Sequence, residues 1–244
     1  LVMLCMIGYA MLQSSPPLME AVSRSFNPDD PLILLLPIVT LVGGTVGGSI
    51  SFSGGHRLVE AGITGVQNVG VVTRAAVIGI ATTGVVRICL FLAALGVVSQ
   101  GLSLDPANPA ASVFSHSMGT IGYKMFGIVL LAASVSSVIG AAYTSVSFMY
   151  SLHESIQRHN QRMVIAFIAC STLIYSLVGQ PVKVLVVAGT LNALVLPLAL
   201  ACILWAAKKP NIVGNEYRHP TWMLVFGLLA MVATAVGVVM SFNA

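Results

Sequence analysis

Most of the chain is taken up by apolar runs long enough to cross a lipid bilayer. A transmembrane helix needs about 20 predominantly apolar residues, because the hydrocarbon layer is about 30 Å thick and a helix rises about 1.5 Å per residue. Runs of that kind occupy Leu32–Phe52, Ala75–Val98, Met125–Leu152, Met163–Val178, Val184–Ala207 and Trp222–Met240, after an apolar stub at Leu1–Leu12. Charged residues make up 7% of the 244, against about 25% in soluble domains, too few to cover a water-facing surface. The pattern predicts an all-α, polytopic membrane helix bundle, read as a single transmembrane domain over residues 1–244. The first run lacks an initiator methionine and the basic segment of a signal peptide. The expectation is therefore a C-terminal part of a longer protein.

The few charges set the topology. Arg57, Arg74, Arg158, Arg162, Lys208, Lys209 and Arg218 fall in the connections Gly54–Arg74, His153–Arg162 and Lys208–Pro220. The alternate connections, Ser14–Asp30, Gly101–Lys124 and Gly179–Lys183, hold Arg24, Lys124 and Lys183. The positive-inside rule makes the first set cytoplasmic and puts the C-terminus outside. A formal net charge of +4 spread over loop positions fits this topology rather than a nucleic-acid partner. Cys5, Cys89, Cys170 and Cys202 are far apart within apolar runs and read as packing residues. No His/Asp/Glu cluster lies within the spans, so the chain is not expected to be an enzyme.

The stretch "GGTVGGSISFSGGH", Gly43–His56, interrupts the second run with three glycine pairs. Glycine costs about 1 kcal/mol relative to alanine inside a helix. One reading is helix packing: Gly43 and Gly47, and Gly44 and Gly48, have the four-residue spacing that lets membrane helices approach closely. The other is a helix broken at mid-membrane, where freed carbonyls and helix ends coordinate a transported ion. Such backbone is tolerated at that depth only inside protein or beside a wet cavity. The hydroxyls of Thr45, Ser49, Ser51 and Ser53 favour the second reading, and the break is expected within about two residues of Gly44–Gly48.

The pattern "TLVGGTVGGS" resembles the sixth helix of the NRAMP family of proton-coupled divalent-metal transporters, which reads Gly-Ala-Thr-Val-Met-Pro-His. Gly43, Gly44, Thr45 and Val46 stand on its first four positions, and Gly47, Gly48 and Ser49 where Met-Pro-His would follow. "AGTLNALVLPLAL", Ala188–Leu200, resembles the family's tenth helix, with Leu196 and Pro197 on its Leu-Pro pair. The spacing of the spans matches helices five to eleven of an eleven-helix, LeuT-like transporter. The family's metal site also uses an Asp-Pro-Gly-Asn break in the first helix, which would lie upstream of Leu1. The departures bear on the cargo. Gly47 removes a thioether that favours transition metals over magnesium and calcium, and Ser49 removes a histidine.

Other polar residues carry two readings each. "DPANP", Asp105–Pro109, looks like the missing first-helix motif but follows the end of a span, where Asp-Pro and Asn-Pro form turns. "HESIQRH", His153–His159, lacks the spacing of a His-Glu-x-x-His zinc helix. Arg87 falls near the middle of its span, as a proton-path residue or as half of a structural ion pair. Asn192 is a substitute for the polar side chain of the tenth helix, since Gly189 aligns with that position. "SVSSVIGAAYTSVS", Ser134–Ser147, lines a cavity or packs by its small residues. His56, with Arg57 and Glu60, forms part of a proton exit or a solvated helix end.

The resemblance implies a secondary active transporter of divalent cations in a bacterial inner membrane, proton-coupled and working by alternating access. The cation, magnesium or manganese, would be held by backbone and hydroxyl oxygens at Gly44, Thr45, Gly47 and Ser49, with Asn192 nearby. Arg87 and His56 are the proton-path candidates. The implied partners are the lipid bilayer, the cation and protons; no further cofactor is expected, and nothing specifies an oligomeric state. The alternatives are a permease for a small organic solute on the same architecture and a membrane protein that transports nothing.

Overall fold

The computed structural model describes residues 2–45, 49–151, 154–179, 181–214, 217 and 219–243. Among them the secondary structure is helical throughout, with no strand. The helices are α1 (Val2–Ser14), α2 (Leu18–Phe26), α3 (Pro31–Thr45), α4 (Ser49–Glu60), α5 (Val69–Ser99) and α6 (Pro109–Phe148). They are followed by α7 (Glu154–Arg158), α8 (Asn160–Val178), α9 (Pro181–Ala207), α10 (Pro210–Val213) and α11 (Thr221–Asn243). Five of them, α5, α6, α8, α9 and α11, are long and apolar enough to cross a membrane. The protein is a multi-pass α-helical membrane protein. Large apolar side chains cover much of the exterior of these helices, as expected of surfaces that face lipid or further helices rather than water.

The chain divides into two compact units. The first comprises Leu1–Asp29 and Val69–Gly140. Here α1 packs along α5, and Met6, Ile7 and Ala10 meet Ala93 and Val97. Gly96 makes the crossing close: a β-carbon there would lie 2.5 Å from the Ser14 carbonyl oxygen and 2.6 Å from its hydroxyl. That carbonyl accepts a hydrogen bond from the Gln100 side-chain amide at 2.8 Å, satisfying one of the acceptors left over at the end of α1. After Ser15, Pro16 and Pro17, α2 leaves at 100° to α1. Leu18, Met19, Val22 and Phe26 are all exposed on it, and Arg24 pairs with Glu20 and Asp29. An amphipathic helix set across a span has the form of an interfacial helix.

α6 turns sharply within this unit. Gly119 has φ 65 and ψ −157, a backbone open to glycine but strained for other residues. The turn brings Phe114 onto Phe126 as a stacked pair with ring centroids 4.7 Å apart. In a straight helix those twelve residues would be separated by about 18 Å along the axis. Phe114 is fully buried and, with Val113, Ala111 and Phe126, completes the core begun by α1 and α5.

The second unit comprises Asp30–Asn68 and Ala141–Ala244. α3, α9 and α11 pack on one another around a small core of Val39, Ala193 and Val238. α9 and α11 also meet at Gly227, where a β-carbon would lie 2.7 Å from Leu204 Cδ2.

Several expectations are corrected. The Leu32–Phe52 run is described as α3 and α4, and the 15 residues of α3 reach about 22 Å, short of the hydrocarbon thickness. The expected break falls on residues 46–48, which lie outside the described residues. The Gly101–Lys124 connection is shorter than expected, since helix begins at Pro109. Asp105 Oδ1 accepts from the Ala107 amide at 2.9 Å and Asn108 Oδ1 from the Ala111 amide at 3.2 Å. These are the local bonds of a turn and of a helix start. Ser14–Asp30, read as a connection, contains α2. Of the four cysteines, Cys89 is half-buried against the core of the first unit, and Cys5, Cys170 and Cys202 are exposed.

Candidate functional site

The site begins where α3 crosses α9. A β-carbon on Gly43 would lie 1.9 Å from the Gly189 carbonyl oxygen and 2.5 Å from the Ala193 amide nitrogen. One on Gly189 would lie 2.8 Å from the Thr40 carbonyl oxygen. Two backbones touch here with no side chain between them, as small residues permit in membranes. One turn earlier on α3, Thr40 Oγ1 is 3.1 Å from Thr190 Oγ1, and Thr190 donates to the Val186 carbonyl at 3.0 Å. With that proton committed, Thr40 is the donor in the pair. The two hydroxyls tie the helices together 150 residues apart in sequence.

Gly44 differs from its neighbour. It is exposed, and among the described residues no atom beyond its own helix backbone lies within 4 Å of a β-carbon built on it. The packing reading therefore accounts for Gly43 and leaves Gly44 to other uses. Thr45, half-buried at the end of α3, donates its hydroxyl proton to the Val42 carbonyl at 3.3 Å. Among the described residues nothing donates to its oxygen, whose lone pairs could serve a cation. Gly47 lies outside the described residues. Ser49 opens α4, and its side chain is likewise outside them. Asn192 is half-buried on α9, three residues beyond Gly189 on the flank of the crossing, and its amide has no partner among the described residues.

The structure therefore brings Gly44, Thr45 and Asn192 into one unit, on two helices in direct contact. It also supplies Thr40, which the sequence did not single out because one threonine in an apolar run looks like any other small residue.

The remaining candidates fall elsewhere. Arg87 belongs to the first unit, exposed on α5, with no partner for its guanidinium among the described residues. His56, in the second unit beyond the apolar run, places Nε2 3.0 Å from Glu60 Oε1. Arg57 pairs with the other oxygen of the same carboxylate and lies 4.3 Å over the Tyr143 ring. Tyr143 first, then Glu60, hold the Arg57 guanidinium above its ordinary range, with desolvation pulling the other way. His56 thus sits in a local ion-pair cluster at a helix end. Of Ser134–Ser147, the part to Gly140 is exposed, while Ala142, Val146 and Ser147 are buried. Small-residue packing describes only the second half. Among the described residues no three His, Cys, Asp or Glu side chains gather as metal ligands.

Comparison with known proteins fits this arrangement. The family model for natural resistance-associated macrophage protein-like (Nramp) proteins matches residues 1–243. The chain belongs to the Nramp family. It is 49% identical over 235 residues to the uncharacterized membrane protein YcsG of Bacillus subtilis strain 168, covering 96% of this chain and 57% of that protein. It is 48% identical over 237 residues to an uncharacterized membrane protein of Haemophilus influenzae, covering 96% of this chain and 58% of that one. The chain thus spans a little over half the length of these relatives. No solved structure shows significant similarity to it.

Proposed function

We propose that the chain is the part of a secondary active transporter that carries the sixth-helix half of a divalent-cation site, working by proton-coupled alternating access in a bacterial cell membrane. The observation that carries this reading is the contrast between Gly43 and Gly44. The first is sealed against α9, whereas the second leaves backbone exposed beside a hydroxyl that accepts no hydrogen bond among the described residues. Backbone carbonyls and hydroxyls at a helix end are the ligands that discontinuous transporter helices offer to cations. Family membership supports the class of cargo, and relatives named as membrane proteins support the location.

The donor set favours hard ions. Gly47 stands where the family has a thioether, and oxygen ligands suit magnesium, calcium and manganese. The test is uptake by the full-length protein in proteoliposomes, with magnesium, manganese and cadmium compared. The expected result is magnesium and manganese uptake, with Gly47→Met shifting preference toward cadmium and manganese. Strong cadmium uptake by the wild type with magnesium excluded would overturn the oxygen-site reading.

A second reading, a permease for a small organic solute, is favoured by one feature: both side chains that mark the family's sixth-helix metal motif are replaced here, by Gly47 and Ser49. Folded protein that moves no divalent ion would select it.

A further inference from the structure

In the first unit, α2 takes no part in the core that α1, α5 and α6 build. Each residue advances about 100° around a helix, so Leu18, Met19, Val22 and Phe26 share one side of α2 within an arc of about 100°, opposite Glu20 and Arg24. Met19 is 85% exposed and Phe26 88%, with Leu18 and Val22 more than half exposed, so no described residue covers this face. The polar side is satisfied from within. Arg24 pairs with Glu20 at 3.8 Å and with Asp29, and the Ser25 hydroxyl donates to the Ala21 carbonyl at 2.7 Å. Asp30 Oδ1 accepts from the Leu32 amide at 3.0 Å. These four are the ionisable side chains between Ser15 and Leu32, and all of them are described.

The direction and the depth of α2 both follow from α1. That helix packs along α5, which is long and apolar enough to cross a membrane, so α1 shares the direction of a span. Its last residue, Ser14, lies against Gly96, and the Ser14 carbonyl accepts from the Gln100 side chain at 2.8 Å. These contacts fall at the end of α5, whose apolar run stops at Val98. Pro16 and Pro17 have no amide hydrogen with which to continue α1, and α2 leaves at 100°. A helix that starts where a span ends, and runs across it, lies along the boundary between hydrocarbon and headgroups. The positive-inside rule makes this the outer boundary.

We propose that α2 lies in the outer lipid–water interface, with Leu18, Met19, Val22 and Phe26 inserted among the acyl chains and Glu20 and Arg24 in the headgroup layer. Interfacial helices sink their apolar face about 5–10 Å into that boundary. Residues 18–30 carry three acids and one base, so the partner is the apolar part of the bilayer and not an anionic headgroup.

The test uses the full-length protein, with its cysteines replaced by alanine, in phosphatidylcholine nanodiscs. One spin label at a time is attached at Met19→Cys, Val22→Cys, Phe26→Cys or Glu20→Cys. Collisions with oxygen, which concentrates in lipid, are compared with collisions with a water-soluble nickel chelate. Oxygen should dominate at positions 19, 22 and 26 and nickel at position 20, with no change on adding phosphatidylglycerol. Val22→Asp, which sets a charge in the middle of the apolar face, should move the label at position 26 into the nickel-accessible layer. Nickel access at all four positions would place α2 in water and overturn the proposal. Exclusion of both reagents from positions 19, 22 and 26 would mean that protein covers the face, and would overturn it too. Should the cysteine-free protein not fold, Phe26→Trp in the native background replaces it. The emission this variant adds to that of the wild type should be quenched by brominated phosphatidylcholine, and an unquenched signal would refute the insertion.

Discussion

In the first unit α1 and α5 enclose Ile7, Val97 and Val113 and the stacked rings of Phe114 and Phe126. In the second, α3 meets α9 through Gly43 and Gly189, beside a small buried apolar cluster of Val39, Ala193 and Val238. One crossing is filled by large side chains and the other depends on their absence. Lipid tails are as apolar as leucine, so burial gives little drive to bring membrane helices together, and dispersion contacts and hydrogen bonds carry the association. Volume supplies those contacts in the first unit. In the second, backbone proximity supplies them, and a hydroxyl pair holds the register. The two should therefore fail under opposite kinds of substitution.

The largest expected effect is in the filled unit. Phe114→Ala removes a fully buried ring and its stacking partner's contact, and should cost about 3–5 kcal/mol in equilibrium unfolding of the detergent-solubilised full-length protein. Next comes an enlargement in the other unit. Gly43→Ala meets backbone, which cannot rotate away, and should cost about 3 kcal/mol by the same measurement. Gly96→Ala sharpens the contrast, because the filled unit also contains one close approach. The Ser14 hydroxyl can turn aside but its carbonyl cannot, giving about 2 kcal/mol. Were Gly96→Ala to cost more than Phe114→Ala, the first unit too would be held by proximity.

Smaller effects isolate the hydroxyls and the open glycine. Thr40→Val keeps the shape and deletes the bond to Thr190. It should cost about 0.6 kcal/mol, the average for a hydrogen bond between membrane helices. Gly44→Ala should leave stability unchanged or raise it by up to about 1 kcal/mol, since nothing among the described residues opposes the new methyl and alanine is the better helix former. Divalent uptake measured on the same variant should nevertheless fall. Two neighbouring glycines with opposite stability effects would establish that one packs and the other does not.

The spans were legible where the physics is a sum along the chain. α5, α8, α9 and α11 contain the apolar runs within a few residues at most ends, because hydrocarbon thickness sets helix length. Features that depend on one residue's backbone or on a distant partner were less so. The polar run "ASVFSHSMG" reads as loop, yet it forms the first arm of α6 because Gly119 lets the chain turn and Phe114 find Phe126. Gly43 and Gly44 are identical in local pattern, and only the position of Gly189 separates them. Thr40 and Thr190 each look inert until α3 and α9 are brought together. For the site, the Gly44–Thr45 step was visible in the glycine-hydroxyl pattern, whereas its second helix could be placed only by resemblance.

The stacked rings on either side of Gly119 also constrain how α6 can change in length over evolution. Each helical residue advances about 100° around the axis, so deleting or inserting one residue between Phe114 and Phe126 swings one ring out of the core even if every remaining side chain is kept. That segment should accept many substitutions at its exposed positions while rejecting single-residue insertions and deletions. Related chains are then expected to vary here in spelling but not in count, with length differences displaced into the turn at Gly101–Asn108, where no register is at stake.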